Sequence, residues 1–152
     1  MNKIVISDTS CLITLSNVGL LNILQKLYQE VLITSEVKEE FGESLPEWIR
    51  VRKVQNYSQQ LELETKLDKG EASSITLALE LEDSVLIIDE FKGRKIAKSY
   101  NLEIIGTIGV LLLADKKGLI DDLIATLLQV VNGGFRLSNK LLDKLIEQYR
   151  KK

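Results

Sequence analysis

Short apolar segments alternate with longer segments of helical spacing along most of the chain. The segments at 4–6, 31–33, 85–88 and 102–105 consist mainly of Val, Ile and Leu and predict buried strands. Helices are predicted at 9–16, 20–27, 36–41, 71–79, 93–99, 107–116 and 121–131, with a last one from Ser138. Short apolar strands that alternate with helices are typical of a parallel sheet covered on both faces. The predicted fold class is therefore α/β.

The stretch from 42 to 70 is less regular. Pro46 interrupts the pattern, and residues 48–51 alternate between apolar and polar as an edge strand does. Upstream of this stretch, Thr34 and Ser35 can each cap the helix that begins at Glu36. The pattern thus indicates one continuous series of strands and helices with a single irregular segment.

Length and composition favour one globular domain over residues 1–152. A chain of this length buries about 68–70% of its extended surface, and 45% hydrophobic with 28% charged residues is typical of a soluble protein. The sequence shows no basic-then-apolar leader and no apolar run of about 18 residues. The single Cys11 excludes an intrachain disulfide. We therefore expect a cytoplasmic protein that does not span a membrane.

The absence of histidine limits the chemistry that the chain can perform. Without His, imidazole base catalysis and Ser-His-Asp or Cys-His nucleophile pairs are excluded. One Cys without any His cannot form a zinc site of the usual kind. Carboxylates, hydroxyls, Lys and Arg remain, and this set suits Mg²⁺ or Mn²⁺. A net charge of −2 provides no overall positive field, so nucleic acid would need local basic patches.

Acidic residues directly follow two of the predicted strands. Asp8 follows the first strand, and Asp89 follows the strand at 85–88. Ligands of open parallel sheets bind at the carboxyl ends of the strands, so both acids are candidate site residues. Glu40 and Glu71 lie nearby, each on a helix close to a strand end.

Each of these acids also has a plain structural explanation. Asp8 and Asp89 could cap the helices that follow them, with Glu90 as a first-turn partner of the helix dipole. Glu71 could likewise interact with the dipole of its own helix. Glu40 has acidic neighbours at 36, 39 and 43, which favours a solvated charged face. The positions of the acids alone leave structural and chemical roles open.

Several short motifs occur in a defined order along nearly the whole chain. They are Asp8-Thr9-Ser10, 37–41 (VKEEF), 67–72 (LDKGEA), 86–90 (LIIDE) with Gly93, Arg94 and Ala97 behind it, 106–111 (GTIGVL) and 134–138 (GFRLS). Each is weak alone. Together they resemble the PIN-domain family, and within it a VapC-like prokaryotic subgroup of mostly uncharacterised proteins.

The resemblance implies a three-layer α/β/α sandwich with a central parallel sheet. It also implies that Asp8, Glu40, Glu71 and Asp89 form an acidic cluster that holds divalent metal for phosphodiester hydrolysis. The chain departs from the commoner pattern twice: the third acid is usually Asp rather than Glu, and Thr or Ser usually stands where this chain has Ile87. The second departure removes a hydroxyl that could orient a metal-bound water.

Carboxylates held close together repel one another and are stabilised by a divalent cation. Two of them about 5 Å apart repel by roughly 3 kcal/mol at an effective dielectric of about 20, whereas carboxylate oxygens are preferred ligands of Mg²⁺. We therefore predict Asp8, Glu71 and Asp89 as ligands of Mg²⁺ or Mn²⁺. Glu40 is predicted to act through a bound water or to orient the attacking water.

Further residues are predicted to assist catalysis and RNA binding. Those that would orient water or metal are Thr9, Ser10 and Glu90, with helix capping as the alternative for the two hydroxyls. Those that would contact RNA phosphates are Lys92, Arg94 and Lys95, with a solvated helix face as the alternative. Aromatic residues make up only 5% of the chain, so base stacking on an exposed ring is not expected.

The leading hypothesis is a divalent-metal-dependent ribonuclease that is the toxin of a toxin–antitoxin pair. Its expected partners are RNA, a small antitoxin protein and a second copy of the chain in a homodimer. A second hypothesis is a catalytically inactive PIN fold with a binding or regulatory role, favoured by Ile87 and the acidic pI of about 5.3. A phosphoacceptor receiver domain is disfavoured, because Ser7 rather than a second acid precedes Asp8.

Overall fold

Five parallel strands form one sheet between two layers of helices in the computed structural model, which describes residues 4–150. The strands are β1 (Ile4–Ser7), β2 (Glu30–Ile33), β3 (Ile49–Val51), β4 (Ser84–Ile87) and β5 (Ile104–Ile105). Their order across the sheet is β3-β2-β1-β4-β5, and every pairing is parallel. The α/β prediction is confirmed, and the segment at 48–51 supplies the edge strand β3.

Nine helices lie within the described residues. They are α1 (Thr9–Asn17), α2 (Ile23–Leu27), α3 (Ser35–Phe41), α4 (Tyr57–Glu64), α5 (Lys69–Glu80), α6 (Phe91–Ser99), α7 (Thr107–Lys116), α8 (Leu123–Asn132) and α9 (Asn139–Arg150). Helix α4 was not predicted because its sequence is mostly polar and buries only Gln60 and Leu63. Between residues 4 and 150, no helix combines the length and apolarity needed to cross a membrane.

Alternate residues of the central strands point to opposite faces of the sheet. Val5 and Ile87 face a cluster formed with α1, α2, α7, α8 and α9. Ile6 and Leu86 face a second cluster formed with α4, α5 and α6. Because both faces are covered, each of β1, β2 and β4 contains three successive apolar residues instead of an alternation with polar ones. This arrangement confirms the predicted α/β/α sandwich.

Polar caps start the helices that follow the first two strands. A side-chain oxygen of Asp8 accepts a hydrogen bond from the amide of Cys11 at 2.9 Å, which begins α1. Thr34 does the same for the amide of Val37 at 3.1 Å, so Thr34 rather than Ser35 caps α3. Both turns lie at the carboxyl edge of the sheet, where they bring the ends of two helices beside the ends of the strands.

Candidate active site

The sheet has a switch point between β1 and β4. β2 and β3 lie on one side of β1, whereas β4 and β5 lie on the other, and open parallel sheets bind ligands beyond the carboxyl ends of strands at such a point. Ser7 pairs with Ile87, and the amide of Asp8 donates to the carbonyl of Ile87 at 3.1 Å. Asp8 and Asp89 therefore leave the sheet side by side.

Both carboxylate oxygens of Asp8 accept hydrogen bonds from backbone amides. Oδ1 accepts from Cys11 at 2.9 Å, and Oδ2 accepts from Asp89 at 3.0 Å. The side chain is only 6% exposed. Asp8 is thus the N-cap of α1, which confirms the capping role considered for it from the sequence. The same side chain also connects the end of β1 to Asp89, which follows β4, through a hydrogen bond.

The carboxylate of Asp89 is held by the first residue of α7. Oδ1 accepts from the amide of Thr107 at 2.7 Å, and Oδ2 accepts from its hydroxyl at 2.6 Å. The negative charge therefore lies at the amino end of a helix, where the helix dipole stabilises it. The alternative that Asp89 caps α6 is wrong, because the cap of α6 is Glu90.

Glu71 carries a buried oxygen without a partner. Its amide donates to Oδ1 of the α5 cap, Asp68, at 2.8 Å, which places Glu71 in the first turn of that helix. Oε2 of Glu71 is buried and has no hydrogen-bond partner. Buried carboxylate oxygens are normally paired with protein groups or ordered water, so this oxygen is available to a water molecule or a cation.

Glu40 is exposed but its carboxylate is not free. Oε1 accepts a short hydrogen bond from the hydroxyl of Thr9, which links α3 to the first turn of α1. The predicted solvated face describes the exposed Glu39 and Glu43, but it does not describe Glu40 or the half-buried Glu36, whose carboxylates accept hydrogen bonds. Capping of α1 by Thr9 or Ser10 is wrong, because Asp8 has that role. Ser10 is exposed beside them.

Two glycines allow the backbone to approach these carboxylates closely. A Cβ atom at position 70 would lie 2.9 Å from Oε1 of Glu40. At position 93 it would lie 2.9 Å from Oε2 of Glu71 and 2.7 Å from Cδ1 of Ile88. Any larger residue would have to displace these groups, so the acidic site depends on Gly70 and Gly93.

Burial and charge repulsion raise the pKa of two of the carboxyl groups. Burial first, and then the charge of Asp89, raises the pKa of Asp8 to about 8, although the two amide hydrogen bonds act in the opposite direction. Burial first, and then the charge of Asp68, raises the pKa of Glu71 to about 7. The site therefore favours the presence of a proton or of a cation that neutralises the carboxylates.

A cleft of about 760 Å³ opens above the ends of β1 and β4. Its acidic lining residues are Asp8, Glu40, Asp68, Glu71, Asp89 and Glu90. The remaining wall includes residues of α1 and of the turn between α8 and α9. Within the described part of the chain, no three acidic side chains are arranged so that they could hold a metal ion as they stand.

A family model described as PIN domain matches residues 4–151. The chain belongs to the PIN-domain family. Comparisons with curated proteins and with solved structures gave no match. PIN domains are generally nucleases and typically use divalent metal ions. The recognition made from the sequence motifs is confirmed at the level of the family, and the VapC-like subgroup stays a prediction.

This PIN domain has Ile87 where the commoner pattern has a hydroxyl. The side chain of Ile87 is fully buried in the cluster with Val5. The fully buried Thr107 supplies a hydroxyl to Asp89 instead, from the start of α7, which follows the neighbouring strand β5. Sequence reasoning did not single out Thr107. The sequence feature that could have identified Thr107 is its position at the start of an apolar helix, directly after the last strand.

The predicted RNA-binding residues of the PIN domain all belong to α6. Nη1 of Arg94 donates to the carbonyl of Ile88 at 2.7 Å, which supports the exit of β4. Lys92 and Lys95 are exposed. Of the residues that the structure describes, none of these three lines the cleft. The basic residue that does line it is Arg136, from the turn before α9. Sequence reasoning missed Arg136 as a site residue because it lies more than 40 positions along the chain from every acid that lines the cleft.

Proposed function

We propose that this PIN domain is a divalent-metal-dependent ribonuclease that hydrolyses RNA phosphodiester bonds. One observation carries the proposal: Asp8 and Asp89 meet at the switch point of the sheet and line a cleft that is also lined by Glu71, whose Oε2 is unpaired. Membership of the PIN-domain family supports nuclease activity in general, without indicating the substrate. The choice of RNA rests on the resemblance to the VapC-like subgroup.

The donor set fits a hard divalent cation. Carboxylate oxygens are the preferred ligands of Mg²⁺ and Mn²⁺. Burial first, and then a neighbouring carboxylate, raises the pKa of Asp8 and that of Glu71, and a bound cation would oppose both effects. Asp8, Glu71 and Asp89 would hold the ion. Because no three acids among residues 4–150 are arranged to hold it as they stand, binding by all three would require at least one side chain to rotate.

The remaining polar residues of the cleft would position the reactants. A bound divalent ion lowers the pKa of its water and polarises the phosphoryl group. Glu40, held by Thr9, would orient the attacking water and accept its proton. Ser10 and Glu90 line the cleft and would hydrogen-bond water. The chain contains no His, and no Lys, Tyr or Cys within residues 4–150 lines the cleft, so its carboxylates would perform the acid–base steps.

The biological setting belongs to the same proposal. The resemblance to the VapC-like subgroup supports a toxin, inhibited by a small antitoxin protein in the cytoplasm. A homodimer is supported by apolar side chains of α7, α8 and α9 that remain more than a third exposed, namely Leu112, Leu128 and Leu141. Measurement of mass in solution would test this, and a monomer at micromolar concentration would contradict it.

An RNA cleavage assay tests the proposed chemistry. We expect cleavage with Mg²⁺ or Mn²⁺ and none with chelator or with Asp89→Asn, which removes one charge from the site. Asp143→Asn, an exposed acid of α9, is the matched control and should cleave normally. Equal activity in chelator, or in Asp89→Asn, would reject the mechanism.

A catalytically inactive PIN fold is the second candidate, and Ile87 favours it. Calorimetric titration with Mn²⁺ separates the two, because the nuclease requires saturable binding that weakens in Asp89→Asn. Absence of binding in the intact chain would favour the inactive fold.

A further inference from the structure

Phe91 is a large apolar side chain that the fold leaves uncovered, although the low aromatic content of the chain gives no reason to expect an exposed ring for base stacking. It is 79% exposed, whereas Phe41 and Phe135 pack against the cluster that contains Val5. Among the described residues, Phe91 belongs to neither hydrophobic cluster. Full burial of a Phe side chain contributes about 1.5–3 kcal/mol, so folding gains little from Phe91.

The position of Phe91 places its ring at the acidic site. It is the first residue of α6, two positions after Asp89, and it lines the same cleft as the acids. The backbone there is fixed by the Glu90 cap and by Arg94, which donates to the carbonyl of Ile88. An exposed ring on a fixed helix end, beside the candidate catalytic acids, can stack on a flat ligand without reorganisation.

Arg136 supplies the missing positive charge in this cleft. Its side chain is exposed, and no ion pair or hydrogen bond engages it within residues 4–150. The other charged lining residues are acidic, so an approaching polyanion meets repulsion that Arg136 and a bound divalent cation oppose. A free guanidinium can bind a phosphate through two parallel hydrogen bonds.

We propose that Phe91 and Arg136 form a nucleotide subsite in the cleft, in which a base next to the scissile phosphate stacks on Phe91 and a neighbouring phosphate binds Arg136. This inference rests on the proposed ribonuclease function and specifies its substrate further. A base inside a duplex is already stacked on both sides and cannot cover the ring. The subsite therefore requires an unpaired base at the cleavage position.

Binding measurements on the Asp89→Asn background test the subsite without cleavage. The probes are a short fluorescent single-stranded RNA of mixed sequence, the same RNA annealed to its complement, and an abasic oligomer of equal length. Phe91→Ala should weaken binding of the single-stranded RNA about 5-fold or more, as expected for the loss of one stacked base. It should leave the abasic oligomer unaffected, and Phe91→Tyr should restore binding. Tyr57→Ala, an exposed aromatic of α4 outside the cleft, is the matched control.

Arg136→Gln should weaken binding of both the RNA and the abasic oligomer. It should also reduce the slope of log K against log salt by about 0.7, as loss of one phosphate contact to a single strand does. Arg50→Gln, an exposed Arg of β3, should change neither quantity. A loss that is equal for Phe91→Ala on both oligomers, or no loss at all, would overturn the base-stacking role.

The cleavage assay separates the two levels of the proposal. Metal-dependent cleavage by the unmodified chain, with Phe91→Ala indistinguishable from it in KM and kcat, would reject the subsite and leave the ribonuclease standing. Absence of cleavage by the unmodified chain would reject both. A higher KM in Phe91→Ala at nearly unchanged kcat, with preference for single-stranded RNA, is the result we expect.

Discussion

The amide of Asp89 donates a 3.0 Å hydrogen bond to Oδ2 of Asp8. Two acids that are 81 positions apart in the chain are thus joined through a backbone group rather than through a flexible side chain. Thr107 then holds the Asp89 carboxylate by its amide and its hydroxyl. The main chain therefore positions the core of the candidate site, which is the form of preorganisation that metal and catalytic centres require.

Asp8→Asn and Asp89→Asn should both abolish cleavage but differ in stability. Asn at position 89 can keep both bonds, because the Thr107 hydroxyl can accept from the new amide group. Asn at position 8 has only one oxygen for the two backbone amides that Asp8 accepts. We expect Asp8→Asn to lose about 1–3 kcal/mol relative to Asp89→Asn, the cost of one unpaired buried donor. Urea unfolding measures the difference, and equal midpoints would contradict it.

The metal-free protein should lose stability as pH rises from about 4 towards 8. The pKa of Asp8 is raised to about 8 from an ordinary value of 3.8, so the folded state holds its proton more tightly than the unfolded chain. The penalty begins above the unfolded pKa and is complete above the folded one. Glu71, with its pKa raised to about 7, acts in the same direction.

Unfolding midpoints measured in chelator from about pH 5 to pH 9 test this behaviour. Mn²⁺ should reverse the trend, because the metal binds the ionised carboxylates of the folded state. Asp8→Asn should flatten the pH dependence in chelator, whereas the exposed-site control Asp143→Asn should keep it. If the unfolding midpoint of the unmodified protein does not change with pH, ionisation of Asp8 does not destabilise the folded state, and this prediction is wrong.

Gly93→Ala should disable the site although alanine normally favours a helix. In an open helix the change would stabilise by roughly 1 kcal/mol, but here the new Cβ meets Cδ1 of Ile88 and Oε2 of Glu71. We expect lower stability and weaker Mn²⁺ binding. Adding Ile88→Val removes the Cδ1 contact, so the double variant should recover part of the stability but not the metal affinity. Recovery of both would show that Glu71 does not take part in metal binding.

Thr107→Val should weaken Mn²⁺ binding and cleavage about 10-fold or more. It removes the hydroxyl that bonds Asp89 but preserves the shape of the side chain and the amide contact, and hydrogen bonds to charged groups contribute about 1.5–3 kcal/mol. Thr107→Ser keeps the hydroxyl and should retain most of the activity. Calorimetry with Mn²⁺ and initial cleavage rates provide the comparison. If the Val variant behaves like the Ser variant, Thr107 is not a positioning residue.

The sequence by itself determined the class of the fold and all of its elements except α4. Apolar segments of three or four residues that alternate with helices are typical of a covered parallel sheet, and this pattern is visible without knowledge of which strands are neighbours. For the same reason the place of Asp8 and Asp89 at strand ends was predictable. Helix α4 was not, because its few buried positions are local signals too weak to distinguish from a loop.

Only the tertiary structure decided how the polar groups meet. That Thr107 holds Asp89, that Oε2 of Glu71 lacks a partner, and that Phe91 stays uncovered all depend on the packing of segments far apart in the chain. Periodicity reports whether a residue faces the core or the solvent, but it carries no information about the other segment that it faces. Hydrogen bonds and pKa values are set by those long-range neighbours, so the chemistry of the site emerges from the fold.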